Sequence, residues 1–118
     1  MDVGVIGAGV MGRNHVRVYS ELKGVDTVYV YDPLAENAAR VRELAGICSS
    51  LDELLAKVDA VSICVPTRYH FDTAKKVIAA GIDCLIEKPI TLTVDEGVQL
   101  SKIIEKSGLV VGVGHIER

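Results

Sequence analysis

Short apolar runs rich in β-branched residues alternate along the chain with longer stretches of mixed polar and apolar residues. The runs predict six strands and the stretches between them predict five helices. Strict alternation of strand and helix is typical of a parallel sheet with right-handed crossovers. We therefore expect an α/β fold with a doubly wound six-stranded sheet in the order 3-2-1-4-5-6. The predicted strands are Val3–Ile6, Thr27–Tyr31, Ile47–Cys48, Ala60–Val65, Cys84–Ile86 and Leu109–Val113, and the predicted helices span 10–23, 34–45, 51–57, 70–80 and 94–107.

Capping patterns mark the ends of several of these helices. Ser50 stands three residues before Glu53, and Thr93 stands three residues before Glu96, which is the spacing of a capping box. A glycine follows four of the predicted helices and is expected to end each of them in a left-handed conformation. These glycines are Gly24, Gly46, Gly81 and Gly108.

The composition indicates one compact domain and excludes several classes of function. The length of 118 residues suits a single domain, and the formal net charge of −3 offers no basic excess for a nucleic acid. Uncharged runs are only strand-length, whereas a bilayer span needs about 20 apolar residues. The chain enters its first strand without a secretory signal. We expect a cytoplasmic protein with neither a membrane nor a nucleic acid as partner.

The three cysteines, Cys48, Cys64 and Cys84, are odd in number and far apart in apolar surroundings. This pattern argues against a disulfide framework or a zinc site. We interpret them as small core residues and predict no metal site.

A glycine-rich motif of the form G-x-G-x-x-G spans residues 7–12, between the first strand and the first helix. Gly7 permits a tight turn, Gly9 lets a pyrophosphate approach the backbone, and Gly12 allows the helix to pack closely. Val10 and Met11 open the helix, whose N-terminus favours an anion. The motif predicts a dinucleotide site, and the alternative is a strand-to-helix turn that binds no ligand.

Asp32 strengthens the dinucleotide prediction, because it lies twenty residues after Gly12 at the end of the second strand. A carboxylate there accepts hydrogen bonds from the ribose hydroxyls of the adenosine half. The alternative is that Asp32 and Pro33 only begin a turn. The same carboxylate repels a 2′-phosphate and no cation follows until Arg40, so we predict NAD rather than NADP as cofactor.

Further candidates follow the fourth and fifth strands, where ligands bind in open α/β sheets. Pro66 and Thr67 are expected to border the cofactor, although Thr67 serves equally well as a helix N-cap. Glu87 and Lys88 close the fifth strand. A lysine at this edge is able to polarise a substrate hydroxyl or carbonyl, although most lysines are only solvated surface charges.

The three histidines carry weaker indications. His70 either faces the nicotinamide end of a cofactor or packs and caps within its helix. His115 either approaches the cofactor or simply ends the last strand. His15 is expected to pack against a neighbouring loop, and we assign no chemistry to it.

Together these segments resemble the N-terminal, NAD(P)-binding Rossmann domain of the Gfo/Idh/MocA family of oxidoreductases over essentially the whole chain. The segments are GAGVMGRNH at 7–15, Asp32, VPTRYH at 65–70, AAGIDCLIEKPIT at 79–91 and VGVGHIER at 111–118. The Glu-Lys-Pro triplet is the more specific part, since glycine-rich turns occur in many nucleotide-binding families.

The resemblance implies an enzyme of the NAD(P)-dependent oxidoreductase class. Its members move a hydride between nicotinamide and a hydroxyl carbon of a sugar, polyol or nucleotide sugar, and the GHIER ending is reminiscent of enzymes for UDP-N-acetyl sugars. The implied cofactor ligands are Gly7, Gly9, Gly12 and Asp32, with Glu87 and Lys88 beside the nicotinamide, Lys88 as the catalytic residue, and a cis Lys88–Pro89 bond.

Family members continue into a second, substrate-binding domain, which is absent from residues 1–118. We therefore expect a dinucleotide-binding domain that binds NAD with little turnover. A bare surface where the second domain would pack also allows a homo-oligomer. The alternatives are a stand-alone module that senses NAD or NADH for a partner, and a domain of this fold with an empty nucleotide site.

Overall fold

The computed structural model describes residues 1–87, 91 and 93–114, and within them it shows the predicted alternation of strands and helices. Lys88, Pro89 and His115 lie outside the described residues, and so do the predictions made for them. The strands are β1 (Asp2–Ile6), β2 (Thr27–Tyr31), β3 (Gly46–Ile47), β4 (Ala60–Ile63), β5 (Asp83–Ile86) and β6 (Val111–Val113). The helices are α1 (Val10–Glu21), α2 (Ala35–Ala39), α3 (Leu51–Leu55), α4 (His70–Ala79) and α5 (Val94–Ser107), and a 3₁₀ turn (Thr67–Tyr69) precedes α4.

The six strands form one parallel sheet in the order β3-β2-β1-β4-β5-β6, which confirms the predicted fold class and strand order. Val5 of β1 is level with Val30 of β2 on one side and with Ser62 of β4 on the other. From β1 the chain adds β2 and β3 on one side of the sheet, and it then adds β4, β5 and β6 on the other side of β1. The carboxyl ends of these two strands therefore form the switch point at which such sheets bind ligands.

Alternate side chains of the strands fill two apolar layers, one on each face of the sheet. Val3, Val5, Val28 and Val30 pack with Val16 of α1 and with α2 on one face. The other layer contains Ile6, Val61 and Ile63 with side chains of α3, α4 and α5. Helices on both faces shield a sheet that is apolar on both sides, as a parallel sheet requires.

Several predicted boundaries change where local contacts override the sequence pattern. Helix α2 ends at Ala39 because the following amides of Arg40, Val41 and Arg42 bond to carbonyls three residues back. Gly46 does not end a helix, which corrects our prediction. It lies in β3, where a Cβ would meet the Tyr29 ring at 3.1 Å.

The capping predictions otherwise agree with the structure. The Ser50 hydroxyl accepts a hydrogen bond from the Glu53 amide at 3.0 Å, and the Thr93 hydroxyl accepts one from the Glu96 amide at 3.1 Å. Gly81 and Gly108 adopt left-handed conformations directly after α4 and α5, and Gly24 does so in the turn that follows α1. The positions of these helix ends set the lengths of the loops that lead into the following strands.

Exposed apolar side chains occur over much of the described surface, and several lie on α5 and around β6. Val94 is 86% exposed and Val110 is 73% exposed, with Val98 and Val113 also outside the core. Self-association through such a surface stays a prediction. None of the described helices is long and apolar enough to cross a membrane.

Leu54 of α3 is fully buried against the sheet, and Leu44 is 46% exposed. We expect Leu54→Ala to lower the free energy of unfolding by about 2–5 kcal/mol, because it removes a buried side chain and leaves a cavity. Leu44→Ala is the matched control and should cost less than about 1 kcal/mol. Urea denaturation of both variants measures the difference, and equal losses would contradict the assignment of α3 to the core.

Candidate functional site

The first feature of the site is the tight turn that links β1 to α1. Gly7 has a φ of +97°, which favours glycine, and its amide donates a hydrogen bond to the Tyr31 carbonyl at 2.8 Å. A Cβ on Gly7 would lie 2.8 Å from the Cys64 carbonyl. The turn is therefore wedged between the ends of β2 and β4, and a larger residue at position 7 does not fit.

The other two glycines of the motif differ in what surrounds them. A Cβ on Gly12 would lie only 1.8 Å from the Gly7 carbonyl oxygen, so α1 packs directly on the turn. A Cβ on Gly9 would meet no described atom within 4 Å. Packing within the described residues thus explains Gly7 and Gly12 but not Gly9. A glycine at position 9 is instead explained by a ligand that approaches the backbone from outside.

Helix α1 begins directly after the glycine turn. Gly9 is its N-cap, no side chain caps it, and its first turn holds no acidic residue. The first α-helical hydrogen bond runs from the Arg13 amide to the Gly9 carbonyl at 2.9 Å, so the amides of Val10, Met11 and Gly12 precede the regular ladder. Oriented amides and the helix dipole together favour a phosphate at this end.

Asp32 holds the turn in place as well as facing the cleft. One carboxylate oxygen accepts a hydrogen bond from the Ala8 amide at 2.7 Å, and the other accepts one from the Leu34 amide at 2.8 Å. The second bond is the turn that our alternative interpretation expected. Each carboxylate oxygen has a further lone pair, so both roles are compatible with ribose binding.

A cleft of about 840 Å³ opens between the end of β2 and the loop that follows β4, within the range of small-molecule sites. The glycine turn and Asp32 form its floor, and apolar side chains such as Leu34, Leu51 and Val65 form its walls. Of the predicted cofactor ligands, those that line it are Gly7, Gly9, Val10, Met11, Asp32 and Pro66.

Thr67 and His70 contribute differently from what the sequence suggests. Thr67 begins the 3₁₀ turn, and no side chain caps that turn or α4, so the N-cap alternative is not observed. His70 is buried, and its Nε2 lies 2.8 Å from the Val65 carbonyl oxygen. Neither residue belongs to the described lining of the cleft. His70 instead supports the loop that carries Pro66.

Glu87 and His15 form a buried pair beside this site. The Nε2 atom of His15 lies 2.5 Å from Oε1 of Glu87, and His15 is fully buried while Glu87 is 9% exposed. The interpretation of His15 as a packing residue without chemistry therefore missed its polar partner. The contact spans 72 positions of sequence, and no local pattern around either residue indicates it.

Cys64 completes a cluster with this pair. Its potential metal-binding atom and those of His15 and Glu87 lie within 4.8 Å of one another. Two ligands bound at 2.0–2.1 Å to one tetrahedral ion stand about 3.3 Å apart. The shorter distance between His15 and Glu87 is that of a hydrogen bond, so the arrangement favours a pair over a metal centre.

Burial also raises the pKa of two titratable groups next to the pair of His15 and Glu87. It raises the pKa of the Cys64 thiol strongly, and the charge of Glu87 adds to the increase. Burial likewise raises the pKa of Tyr19, although its hydrogen bond to the Ser62 hydroxyl at 2.5 Å opposes the shift. Cys64 therefore remains a thiol at neutral pH and lines the cleft as an apolar side chain.

Sequence reasoning also missed one wall of the cleft. Tyr69, Asp72, Thr73 and Lys76 line it from α4 and the residue before it. Their spacing of three and four residues places them on one helical face, which is a pattern visible in the sequence. Lys76 also brings to the cleft a cation that lies far from Asp32 in the sequence.

Comparison with known proteins agrees with this geometry. Residues 1–115 match the family model described as the Gfo/Idh/MocA oxidoreductase family, NAD-binding Rossmann fold. The UDP-N-acetylglucosamine 3-dehydrogenase of Acidithiobacillus ferrooxidans is 42% identical over 123 aligned positions, which cover 100% of this chain and 38% of the relative. The scyllo-inositol 2-dehydrogenase (NAD(+)) of Bacillus subtilis is 32% identical, with 97% of this chain and 35% of the relative covered.

Solved structures show the same fold. The UDP-N-acetylglucosamine 3-dehydrogenase GnnA of A. ferrooxidans superposes with a TM-score of 0.88 at 42% identity, covering 97% of this chain and 36% of that one. GenD2 from gentamicin A biosynthesis, solved in complex with NAD, gives a TM-score of 0.89 at 33% identity over 97% of this chain and 34% of its own. The chain thus spans well under half the length of these relatives. With its glycine turn, Asp32 and sheet order, it belongs to the Gfo/Idh/MocA family of oxidoreductases, whose family model describes an NAD-binding Rossmann fold.

Proposed function

We propose that this chain binds NAD as the cofactor half of a dehydrogenase that acts on a hydroxyl carbon of a sugar, polyol or nucleotide sugar. The observation that carries the proposal is the contrast among the glycines. Gly7 and Gly12 are required by packing, while Gly9 leaves its side open at the N-terminus of α1. A pyrophosphate bound there explains why position 9 is a glycine.

The residues of the cleft divide the work of holding NAD. The amides at the start of α1 bind the pyrophosphate, and Asp32 accepts hydrogen bonds from the adenosine ribose. Leu34, Leu51 and Pro66 offer apolar surface to the adenine. The carboxyl ends of β4 and β5 then face the nicotinamide half of the dinucleotide.

The proposed site for the reacting, nicotinamide end of the cofactor lies at the end of the fifth strand. When bound, the nicotinamide supplies the hydride acceptor or donor. Glu87 directly follows β5, and Lys88, the residue after it, is our proposed catalytic group. An ammonium there stabilises negative charge that develops on the substrate oxygen. Thr67 and His70 belong to this half of the proposed site as supports of the loop rather than as contacts.

The substrate class follows from the relatives. Two of them are named for UDP-N-acetylglucosamine and for scyllo-inositol, which both present a secondary ring hydroxyl. We favour a nucleotide sugar such as a UDP-N-acetyl sugar, because the relative named for one is 42% identical to this chain.

We expect Gly9→Ala to weaken NAD binding at least about tenfold, because the added methyl occupies the approach to the α1 N-terminus. Its free energy of unfolding should stay within about 1 kcal/mol of the parent value, since no described atom meets the methyl. Gly12→Ala is the contrasting variant and should lose about 1–3 kcal/mol of stability through its clash with Gly7. Calorimetric titration with NAD and thermal denaturation separate the two effects. Unchanged NAD affinity in Gly9→Ala would contradict the site.

Asp32 should make the chain bind NAD at least about tenfold more tightly than NADP, because its charge repels a 2′-phosphate. Asp32→Asn keeps an acceptor oxygen but removes the charge, so the preference should shrink severalfold. Glu36→Gln removes a neighbouring charge in the first turn of α2, outside the lining of the cleft, and should leave the preference unchanged. Paired titrations with both cofactors measure the ratio. A chain that prefers NADP would overturn the assignment of Asp32.

The 118-residue chain should bind NAD without appreciable turnover of UDP-N-acetylglucosamine or scyllo-inositol. Oxidation of a hydroxyl requires a base for its proton. Among the described residues, the two buried histidines near this edge of the sheet contact Glu87 and the Val65 carbonyl. The absorbance of reduced nicotinamide measures turnover, and NAD-dependent oxidation above a protein-free blank would show that this part of the proposal is wrong.

A further inference from the structure

A buried pair joins the phosphate-binding helix to the end of the fifth strand. His15 lies on the inner face of α1, and its Nε2 contacts Oε1 of Glu87 at 2.5 Å across 72 positions of sequence. Tyr19, one turn further along α1, packs edge-on against the His15 ring with centroids 6.1 Å apart. The imidazole is thereby held in one orientation, with Nε2 directed at Glu87.

Glu87 lies on the side of the switch point opposite the proposed site of the adenosine half of the dinucleotide. Its amide donates to the Ile63 carbonyl at 3.3 Å, which sets it beside Cys64, a residue that lines the cleft. Asp32 and the glycine turn mark the half of the site at β1 and β2. A dinucleotide that crosses the switch point therefore brings its other mononucleotide over β4 and β5.

We propose that His15 is a positioning residue that holds the Glu87 carboxylate, and with it the end of β5, in the arrangement that receives the nicotinamide half of the dinucleotide. This inference rests on the proposed binding of NAD. A carboxylate with so little exposure to water is costly unless it is paired. Without His15, the carboxylate turns toward solvent and moves the backbone that precedes Lys88.

The test exploits the geometry of amide side chains. In glutamine the amide nitrogen lies as many bonds from the backbone as Nε2 of histidine, whereas in asparagine it lies one bond nearer. His15→Asn should therefore break the contact with Glu87 and His15→Gln should restore it. Tyr19→Phe is the matched control, because it keeps the ring against His15 and removes only the hydrogen bond to Ser62.

Each variant is titrated with NAD and with ADP-ribose, which lacks the nicotinamide. We expect His15→Asn to weaken NAD binding about tenfold and ADP-ribose binding less than about twofold, with His15→Gln and Tyr19→Phe close to the parent for both ligands. A purely structural role would weaken both ligands together, and that result would overturn the inference. A parent chain that binds ADP-ribose but not NAD, or neither ligand, would instead overturn the proposed function.

A second measurement needs no variant and applies if His15→Asn does not fold. The side-chain nitrogen resonances of His15 are followed by NMR in the parent chain during both titrations. NAD should shift the Nε2 resonance at least severalfold more than ADP-ribose does. Equal shifts by the two ligands would overturn the inference.

Discussion

The close approach of Gly12 to the carbonyl of Gly7 sets how α1 packs on the turn that follows β1. A Cβ at position 12 would lie 1.8 Å from that oxygen, so α1 is as near to the turn as a backbone allows. Because the helix begins immediately after the turn, this contact also aims its N-terminus across the end of β1. The proposed anion site therefore depends on backbone packing, and the first turn of α1 holds no acidic residue that would oppose an anion.

Two carboxylates connect strands on either side of β1 to this helix and its turn. Asp32 bonds to the Ala8 amide within the turn and so links the end of β2 to it. Glu87 bonds to His15 on α1 and so links the end of β5 to the same helix. Each acid joins a strand on one half of the sheet to the central element. The ends of β2 and β5 are thus both tied to α1 and its turn.

The fold follows from the sequence because its determinants are local or periodic. Alternating strands and helices, the motif at residues 7–12 and the hydroxyl caps at Ser50 and Thr93 each depend on residues near one another in the chain. Boundaries are less predictable where tertiary contacts decide them. Gly46 illustrates this, since it pairs with Tyr29 in β3 instead of ending a helix, and the Tyr29 ring leaves little room there for a Cβ.

The site is only partly predictable for the same reason. The floor of the cleft lies in one contiguous motif with Asp32 at a fixed spacing, whereas the pairing of His15 with Glu87 spans 72 positions. The presence of a histidine or a glutamate in the sequence does not indicate which distant residue it will contact. The α4 wall was accessible in principle, because Tyr69, Asp72, Thr73 and Lys76 share one helical face, but periodicity alone does not tell which face meets the ligand.

The inner face of α1 shows why its polar residues lie where they do. Val16 packs into an apolar layer on the sheet, while His15 contacts Glu87 after β5 and Tyr19 contacts Ser62 of β4. Buried polar groups stabilise a unique arrangement only when each has a partner. An apolar seam would let α1 slide or rotate on the sheet at small cost. The two polar contacts instead restrain the rotation of α1, and the proposed pyrophosphate site depends on that rotation because it sets the direction of the helix amides.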